Sequence, residues 1–106
     1  MKQIKILNIL PNIDNEEDSV ASHDRDKLRN KVFEETNGMV LLDSKSVEKG
    51  NESIECFYDS AMAAPYVLQV AKQAEEKRYD AVLIDCFMDP ALSECRELLT
   101  IPCFGP

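Results

Sequence analysis

The sequence is poor in the features that mark several common classes of protein. None of its apolar runs approaches the roughly 18 residues of a membrane-spanning helix. Its start lacks the charged segment followed by an apolar one that is typical of a signal peptide. Basic residues are scarce, 12 against 20 acidic ones, which gives a net charge of −8. Because such a surface repels nucleic acid and anionic lipid, we expect a cytoplasmic protein that binds neither nucleic acid nor membrane.

The cysteines are not spaced like the ligands of a metal. Cys56, Cys86, Cys95 and Cys103 contain neither a CxxC pair nor zinc-ligand spacing. A reducing compartment favours free thiols over disulfides, so we expect neither a bound metal nor a disulfide. The length of 106 residues, with 44% hydrophobic and 30% charged residues, predicts a single folded domain over residues 1–106.

The stretch 79–90, YDAVLIDCFMDP, is the centre of the predicted fold. Its unbroken apolar run Ala81–Ile84 has the length and composition of a parallel strand that is buried on both faces. Asp89 followed by Pro90 is typical of a helix start, with the aspartate as N-cap. Cys86 is therefore predicted to lie between a strand end and a helix start. Since the helix dipole favours a nearby thiolate, we expect Cys86 to be the most reactive of the four thiols.

Strands and helices alternate along the rest of the chain. The predicted strands are Lys2–Leu10, closed by Pro11, then Met39–Leu42, the central strand and Ile101–Phe104; the predicted helices begin at Asp24, Pro65 and Pro90, and the first stops at Asn37-Gly38. The stretches 13–21 and 44–53 have no period and are interpreted as loops. This alternation predicts a three-layer, flavodoxin-like α/β domain: a four-stranded parallel sheet in the order 2-1-3-4 with flanking helices.

That strand order leaves one face of the sheet short of cover. With right-handed crossovers the first helix lies on one face, and the second and third helices lie on the other. The strands near Ala81–Asp85 and Ile101–Phe104 then present apolar side chains on the first face with no helix above them. We therefore expect a homo-oligomer that forms through this face, or a domain of marginal stability.

The second half of the chain resembles a known family in several short motifs. Ser53-Ile54-Glu55 is followed by Tyr58-Asp59, Ala63-Ala64-Pro65 stands at a helix start, and an apolar strand runs into Cys86-Phe87 and then Asp89-Pro90. These motifs resemble the aspartate/glutamate/hydantoin racemase superfamily, and within it the hydantoin and allantoin racemase branch. The resemblance covers about half of the chain.

The resemblance implies a fold of two pseudo-symmetric α/β halves with the substrate between them, of which this chain is the N-terminal half. Each half contributes one cysteine, and Cys86 matches the first. One thiolate removes the proton on the stereogenic carbon, and the opposite thiol returns one to the other face. No cofactor is needed, because the neighbouring carbonyl delocalises the carbanion. The implied substrate is an amino acid, a hydantoin or a related carbonyl compound, and this chain alone is expected to be inactive.

The same resemblance suggests substrate contacts. Leu10-Pro11-Asn12-Ile13 resembles the family's Asn-Pro-Asn-Thr turn after the first strand, so Asn12 is a candidate substrate ligand, although it is equally explained as a turn residue. Leu10 and Ile13 replace the family's amide and hydroxyl. Phe87 either lines the substrate pocket or fills the core. Asp85 stands where the family more often has a small residue; its charge either opposes the Cys86 thiolate or points towards the sheet edge and solvent.

Two other functions fit the residues. The stretch 79–90 also resembles the phosphoacceptor strand of a receiver domain, with Asp85 as the phosphorylated residue. Receivers carry an acidic pair after the first strand and a lysine before a proline after the last, whereas this chain has Leu10-Pro11-Asn12 and Ile101-Pro102 in those places. The other alternative is a single-cysteine isomerase or decarboxylase of the racemase superfamily, which keeps Cys86 and changes the reaction.

Overall fold

The computed structural model describes residues 2–13 and 20–106. Its elements follow in the order β1 (Ile4–Ile13), α1 (Val20–Glu35), β2 (Val40–Val47), α2 (Phe57–Glu76), β3 (Ala81–Ile84), α3 (Leu92–Leu98) and β4 (Cys103–Phe104). The strands form one parallel sheet in the order β2-β1-β3-β4. The predicted α/β class, the parallel sheet and its strand order are confirmed.

The register of the strands divides the side chains between two faces. Leu7 lies beside Val82, and Ile9 beside Ile84, while Asn8 lies beside Leu83. We name the face that carries Leu7, Ile9, Val82 and Ile84 the covered face. It also carries Cys103, the neighbour of Val82 in β4. These side chains join residues of α2 and α3 in one core: Leu7, Ile9, Val47, Val67, Val70, Ala71, Ala74, Val82, Ile84, Ala91, Cys95, Leu99 and Cys103. Cys95 and Cys103 are both buried members of this core.

The opposite face, which we name the open face, carries Ile4, Ile6, Asn8, Leu83 and Phe104. Helix α1 lies on this side and packs mainly against β2. Ile4 and Phe104 remain 43% and 39% exposed, respectively. Among the described residues, the open face therefore has the incomplete cover that the strand order predicted.

Helix α1 starts earlier than predicted and ends where predicted. It begins at Val20, four residues before the predicted start at Asp24, and the rest of the predicted loop, residues 14–19, lies outside the described part of the chain. At its end Asn37 and Gly38 both have positive φ, 53° and 77°. The N–H of Gly38 donates to the carbonyl of Phe33 at 2.8 Å, which satisfies a terminal carbonyl of the helix.

Strand β1 does not stop at Pro11, which corrects the prediction. It continues to Ile13, and its register with β2 shifts between Leu10 and Ile13. The last residue of β1 to pair with β3 is Ile9, so Pro11 lies beyond the pairing with β3 and inside the register shift with β2. A proline has no N–H to donate and is tolerated at such an edge or irregularity.

Strand β2 is longer than predicted, because the polar residues after Leu42 continue the strand. Asp43, Ser44, Lys45 and Ser46 pair with β1 in unbroken register. Hydrogen bonds to the neighbouring strand, rather than apolar alternation, define this edge strand. The predicted loop after residue 43 was therefore wrong over its first residues, which have no hydrophobic period to reveal a strand.

Helix α2 is one helix of 20 residues and does not begin at Pro65, which lies inside it. Its first turn follows Cys56, and Asp59 organises that turn. One oxygen of Asp59 accepts the backbone N–H of Glu55 at 3.0 Å, and the other accepts the side-chain amide of Asn51 at 3.2 Å. This carboxylate satisfies a donor at the helix start, so the helix forms upstream of the proline.

The last two elements are shorter than predicted. Helix α3 begins at Leu92 and not at Pro90, and β4 contains only Cys103 and Phe104. At the end of α3, Leu98 is 49% exposed, whereas the C-cap residue Leu99 is buried.

Candidate functional site

A hydrogen-bonded turn follows β3 and carries Cys86. The N–H of Asp85 donates to the carbonyl of Ile9 at 2.9 Å, which extends the contact with β1 by one residue. The N–H of Cys86 donates to the carbonyl of Ile84 at 3.0 Å, and the N–H of Asp89 donates to the carbonyl of Cys86 at 3.0 Å. Cys86 is half-buried and lies at the carboxyl end of the sheet. Parallel α/β sheets bind ligands at this end.

The helix start predicted next to Cys86 is displaced. Asp89 and Ala91 both have left-handed backbone angles, φ 50° and 63°, and Ala91 rather than Asp89 occupies the N-cap position of α3. The helix thus begins six residues after Cys86. Cys86 thus lies between the end of β3 and the start of α3, as predicted, but the helix begins at Leu92 and not at Pro90, because the left-handed Asp89 and Ala91 turn the chain before the helix can form.

The two predicted neighbours of Cys86 have different surroundings. Asn12 is half-buried in β1, beyond the last residue that pairs with β3, and so lies at the same carboxyl edge as Cys86. Its amide nitrogen lies 3.5 Å from the carbonyl of Ile13, at the limit of a hydrogen bond. Phe87 is 90% exposed, which excludes the interpretation that it fills the core.

Asp85 is held on the open face by a residue that the sequence analysis did not select. The amide nitrogen Nδ2 of Asn8 donates to Oδ2 of Asp85 at 3.2 Å and to Oγ of Ser44 at 3.3 Å. Asn8 is only 2% exposed, in the middle of β1. The amide of Asn8 within the otherwise apolar run Ile6–Leu10 was the available signal, since a buried polar side chain in a central strand requires partners.

A cavity of about 250 Å³ lies beside this pair on the open face. Its wall consists of Asn8, Leu10, Asp24, Arg25, Leu28 and Asp85. Arg25 lies 3.5 Å from the hydroxyl of Ser46 in β2. The cavity therefore combines an apolar wall with charges of both signs close to the turn that carries Cys86.

Burial separates the thiols of the chain into two groups. Burial, followed by the proximity of Cys103, raises the pKa of Cys95 to about 12. Burial likewise raises the pKa of Cys103. Both thiols are held in the neutral form at neutral pH, and a neutral thiol is a poor nucleophile and a poor base. Cys86 and the exposed Cys56 are the remaining candidates for thiolate chemistry.

The described residues contain neither a metal-binding cluster nor a membrane-spanning helix. Over residues 2–13 and 20–106, no three His, Cys, Asp or Glu side chains are grouped as they would be to hold a metal ion. In the same part of the chain, no helix has both the length and the apolar character needed to cross a membrane.

The fold and this turn define a parallel α/β domain with a half-buried cysteine at the carboxyl end of a central strand. The family model for Asp/Glu/hydantoin racemase matches residues 25–106. The chain belongs to that family. It is similar to the hydantoin racemase of Pseudomonas sp. (strain NS671), with 38% identity over 60 residues that make up 57% of this chain and 24% of that protein.

One solved structure agrees with this family, and a second shares only the fold. Allantoin racemase from Klebsiella pneumoniae superposes with a TM-score of 0.77 at 27% identity, over 97% of this chain and 39% of that one. A periplasmic solute-binding protein of an ABC transporter from Actinobacillus succinogenes 130z superposes with a TM-score of 0.53 at 11% identity, over 95% of this chain and 30% of that one, and shares the fold alone. The chain thus spans less than half the length of these racemases.

Proposed function

We propose that this chain forms one half of a cofactor-independent racemase or isomerase in which the Cys86 thiolate acts as acid and base. The observation that carries the proposal is the position of Cys86: a half-buried thiol in the turn after a central strand, within a family of racemases. The two buried cysteines are poor candidates, because burial raises the pKa of both. Family membership also favours this function over the receiver interpretation of Asp85.

The proposed reaction is a proton transfer at a carbon next to a carbonyl. The Cys86 thiolate takes the proton, the C–H electron pair moves into the adjacent carbonyl as an enolate, and reprotonation on the opposite face inverts the centre. A hydantoin, allantoin or a related amino-acid derivative has the required carbonyl. Asn12 and Phe87 are the proposed substrate contacts at the same edge of the sheet.

Inversion needs a proton donor on the face opposite Cys86. Cys95 and Cys103 do not meet this need, because both are buried. We propose that the exposed Cys56, at the N-cap of α2, does not supply the proton either. We therefore propose that this chain alone removes the proton without rapid inversion. The alternative function, a single-cysteine isomerase or decarboxylase, also uses Cys86. It differs from the racemase in that no second thiol takes part.

Deuterium incorporation tests this proposal directly. L-5-Methylhydantoin and allantoin are incubated in D2O with the wild-type chain, with Cys86→Ser and with Cys56→Ser as matched control. We expect exchange of the stereogenic proton above the spontaneous rate in the wild type and in Cys56→Ser, but not in Cys86→Ser, and chiral chromatography should show little inversion. Exchange that survives in Cys86→Ser would refute the role of this thiol, and rapid inversion would refute the need for a second half.

We also propose that the chain is a cytoplasmic homo-oligomer in which a second copy covers the open face. The exposed Ile4 and Phe104 of the open face and the exposed Leu28 of α1, which lies on the same side, support this, since these apolar side chains are otherwise left in water. Unpaired cysteines suit a reducing compartment.

A further inference from the structure

Asn8 is the one buried polar side chain within the described core. It is 2% exposed, and its flanking residues Leu7 and Ile9 are buried apolar side chains of the covered face. Its Nδ2 donates to both Asp85 and Ser44, while its Oδ1 is buried and has no hydrogen-bond partner among residues 2–13 and 20–106. An unpaired buried acceptor destabilises a fold, and an apolar side chain of the same size would avoid that cost. Asn8 therefore calls for an explanation other than stability.

Its charged partner is the residue next to Cys86. A carboxylate that turns towards a thiol opposes the thiolate by like-charge repulsion. The hydrogen bond from Asn8 holds Asp85 against β1 and β2 on the open face. The other charged groups nearby are Asp24 and Arg25, which line the same cavity from α1, and Asp89 in the turn itself.

We propose that Asn8 is a positioning residue for Cys86: by donating to Asp85 it fixes that carboxylate on the open face and keeps its charge away from the thiolate. This inference rests on the proposed role of Cys86. It explains both residues of the pair, because a carboxylate at position 85 is compatible with a thiolate at position 86 only when Asn8 binds that carboxylate. The buried amide is then retained for reactivity and not for the stability of the sheet.

Alkylation of Cys86 by iodoacetamide, mapped by mass spectrometry, tests the inference in four forms of the full chain: wild type, Asn8→Leu, Asp85→Asn and the double variant. At pH 7 we expect Asn8→Leu to slow the reaction on the order of tenfold, the effect of one unit charge brought close to the thiolate near a protein surface. The difference should shrink at pH 10, because high pH favours the thiolate form of any thiol. Asp85→Asn should react at least as fast as wild type, and in that background Asn8→Leu should have no further effect.

Ser44→Ala is the matched control, because it removes the other acceptor of Asn8 and leaves the Asp85 contact in place. It should alkylate at the wild-type rate. The inference is overturned if Asn8→Leu slows alkylation equally at both pH values, or equally with Asn and with Asp at position 85. A lowered melting temperature of Asn8→Leu with an unchanged alkylation rate would also overturn it, because the role would then be structural.

A readout at Asn8 separates this inference from the proposed function. The side-chain NH2 signals of Asn8 in NMR spectra should shift in Asp85→Ala, and unchanged signals would overturn the contact itself, even if Asn8→Leu does not fold. If the signals shift but Cys86→Ser retains the deuterium exchange described above, the pair exists and the proposed function is wrong. Shifted signals with Cys86-dependent exchange support both.

Discussion

The two faces of the sheet are built from alternate residues of the same strands, yet they differ in what they contribute. On β1, Leu7 and Ile9 of the covered face are 5% and 0% exposed, whereas Ile4 of the open face is 43% exposed. The covered face holds the apolar core beneath α2 and α3. The open face holds a buried amide, a carboxylate and a cavity beside the turn of Cys86. The apolar core is thus concentrated on one face, and the polar pair that we propose to position Cys86 lies on the other.

The largest difference is expected between the alkylation rates of the buried core thiols and of Cys86. At pH 8, Cys95 on the covered side should be alkylated about a thousandfold more slowly than Cys86, because burial raises its pKa to about 12, roughly three units above an ordinary thiol. Mass-spectrometric mapping of folded protein measures both rates at once, and unfolded protein in urea provides the control in which they should converge. Labelling of Cys95 or Cys103 ahead of Cys86 in folded protein would mean that the site is misplaced.

The same substitution on the two faces should have unequal cost. Ile9→Ala leaves a cavity in a fully buried position and should lower the free energy of unfolding by about 2–5 kcal/mol. Ile4→Ala, on the same strand and the open face, should cost less than about 1 kcal/mol in the monomer. Urea unfolding at a protein concentration too low for association measures both. Equal losses would show that the open face is covered as well as the other.

A charge on the open face should break association. Phe104→Asp places a carboxylate on that face, and the loss of a buried aromatic from the proposed interface should weaken dimerisation by about 2 kcal/mol, roughly thirtyfold in the dissociation constant. Phe57→Asp is the matched control, since Phe57 is 85% exposed at the start of α2 and away from the open face. Sedimentation equilibrium over a range of concentrations measures both variants. A wild-type chain that stays monomeric at all concentrations contradicts the proposal.

The hydrogen bond between Tyr79 and Asp43, at the edge of the covered face, is expected to make a smaller contribution to the free energy of unfolding. The Tyr79 hydroxyl donates to Oδ2 of Asp43 at 2.7 Å, and burial, then this bond, raises the pKa of Tyr79 to about 12. Because this value lies above the ordinary one of about 10, the bond stabilises the fold fully below pH 10 and is lost as the pH rises towards 12. Tyr79→Phe should cost about 1 kcal/mol at pH 7. It should also reduce the loss of stability between pH 10 and 12, measured by urea unfolding; an unchanged pH profile would contradict this account.

The sequence predicted those elements whose apolar pattern is continuous. The run Ala81–Ile84 is a strand with the predicted bounds, and the strand order follows from alternation and crossover handedness. The polar half of β2 was missed, because its pairing partner β1 and not its own composition makes it a strand. The predicted helix start at Pro65 was wrong for a similar reason, because the contacts of Asp59 start the helix upstream of the proline.

The site was predicted less completely than the fold. The position of Cys86 after the central strand follows from the sequence, but the left-handed Asp89 and Ala91 do not, because an αL conformation in residues other than glycine is disfavoured locally. The contact between Asn8 and Asp85 joins residues 77 positions apart and appears only once β1 and β3 are adjacent. Local patterns carry no information about such a pair.

The two outer strands of the sheet bear on how copies of this chain can aggregate. Strand β2 carries Asp43, Ser44, Lys45 and Ser46 along its length, and β4 offers only two residues. Charged or very short outer strands are poor templates for adding another strand. Neither β2 nor β4 therefore favours the addition of strands from other copies, which would extend the sheet into a fibril. A contact between two open faces, by contrast, uses up the surface that forms it, and so favours a closed pair over a polymer.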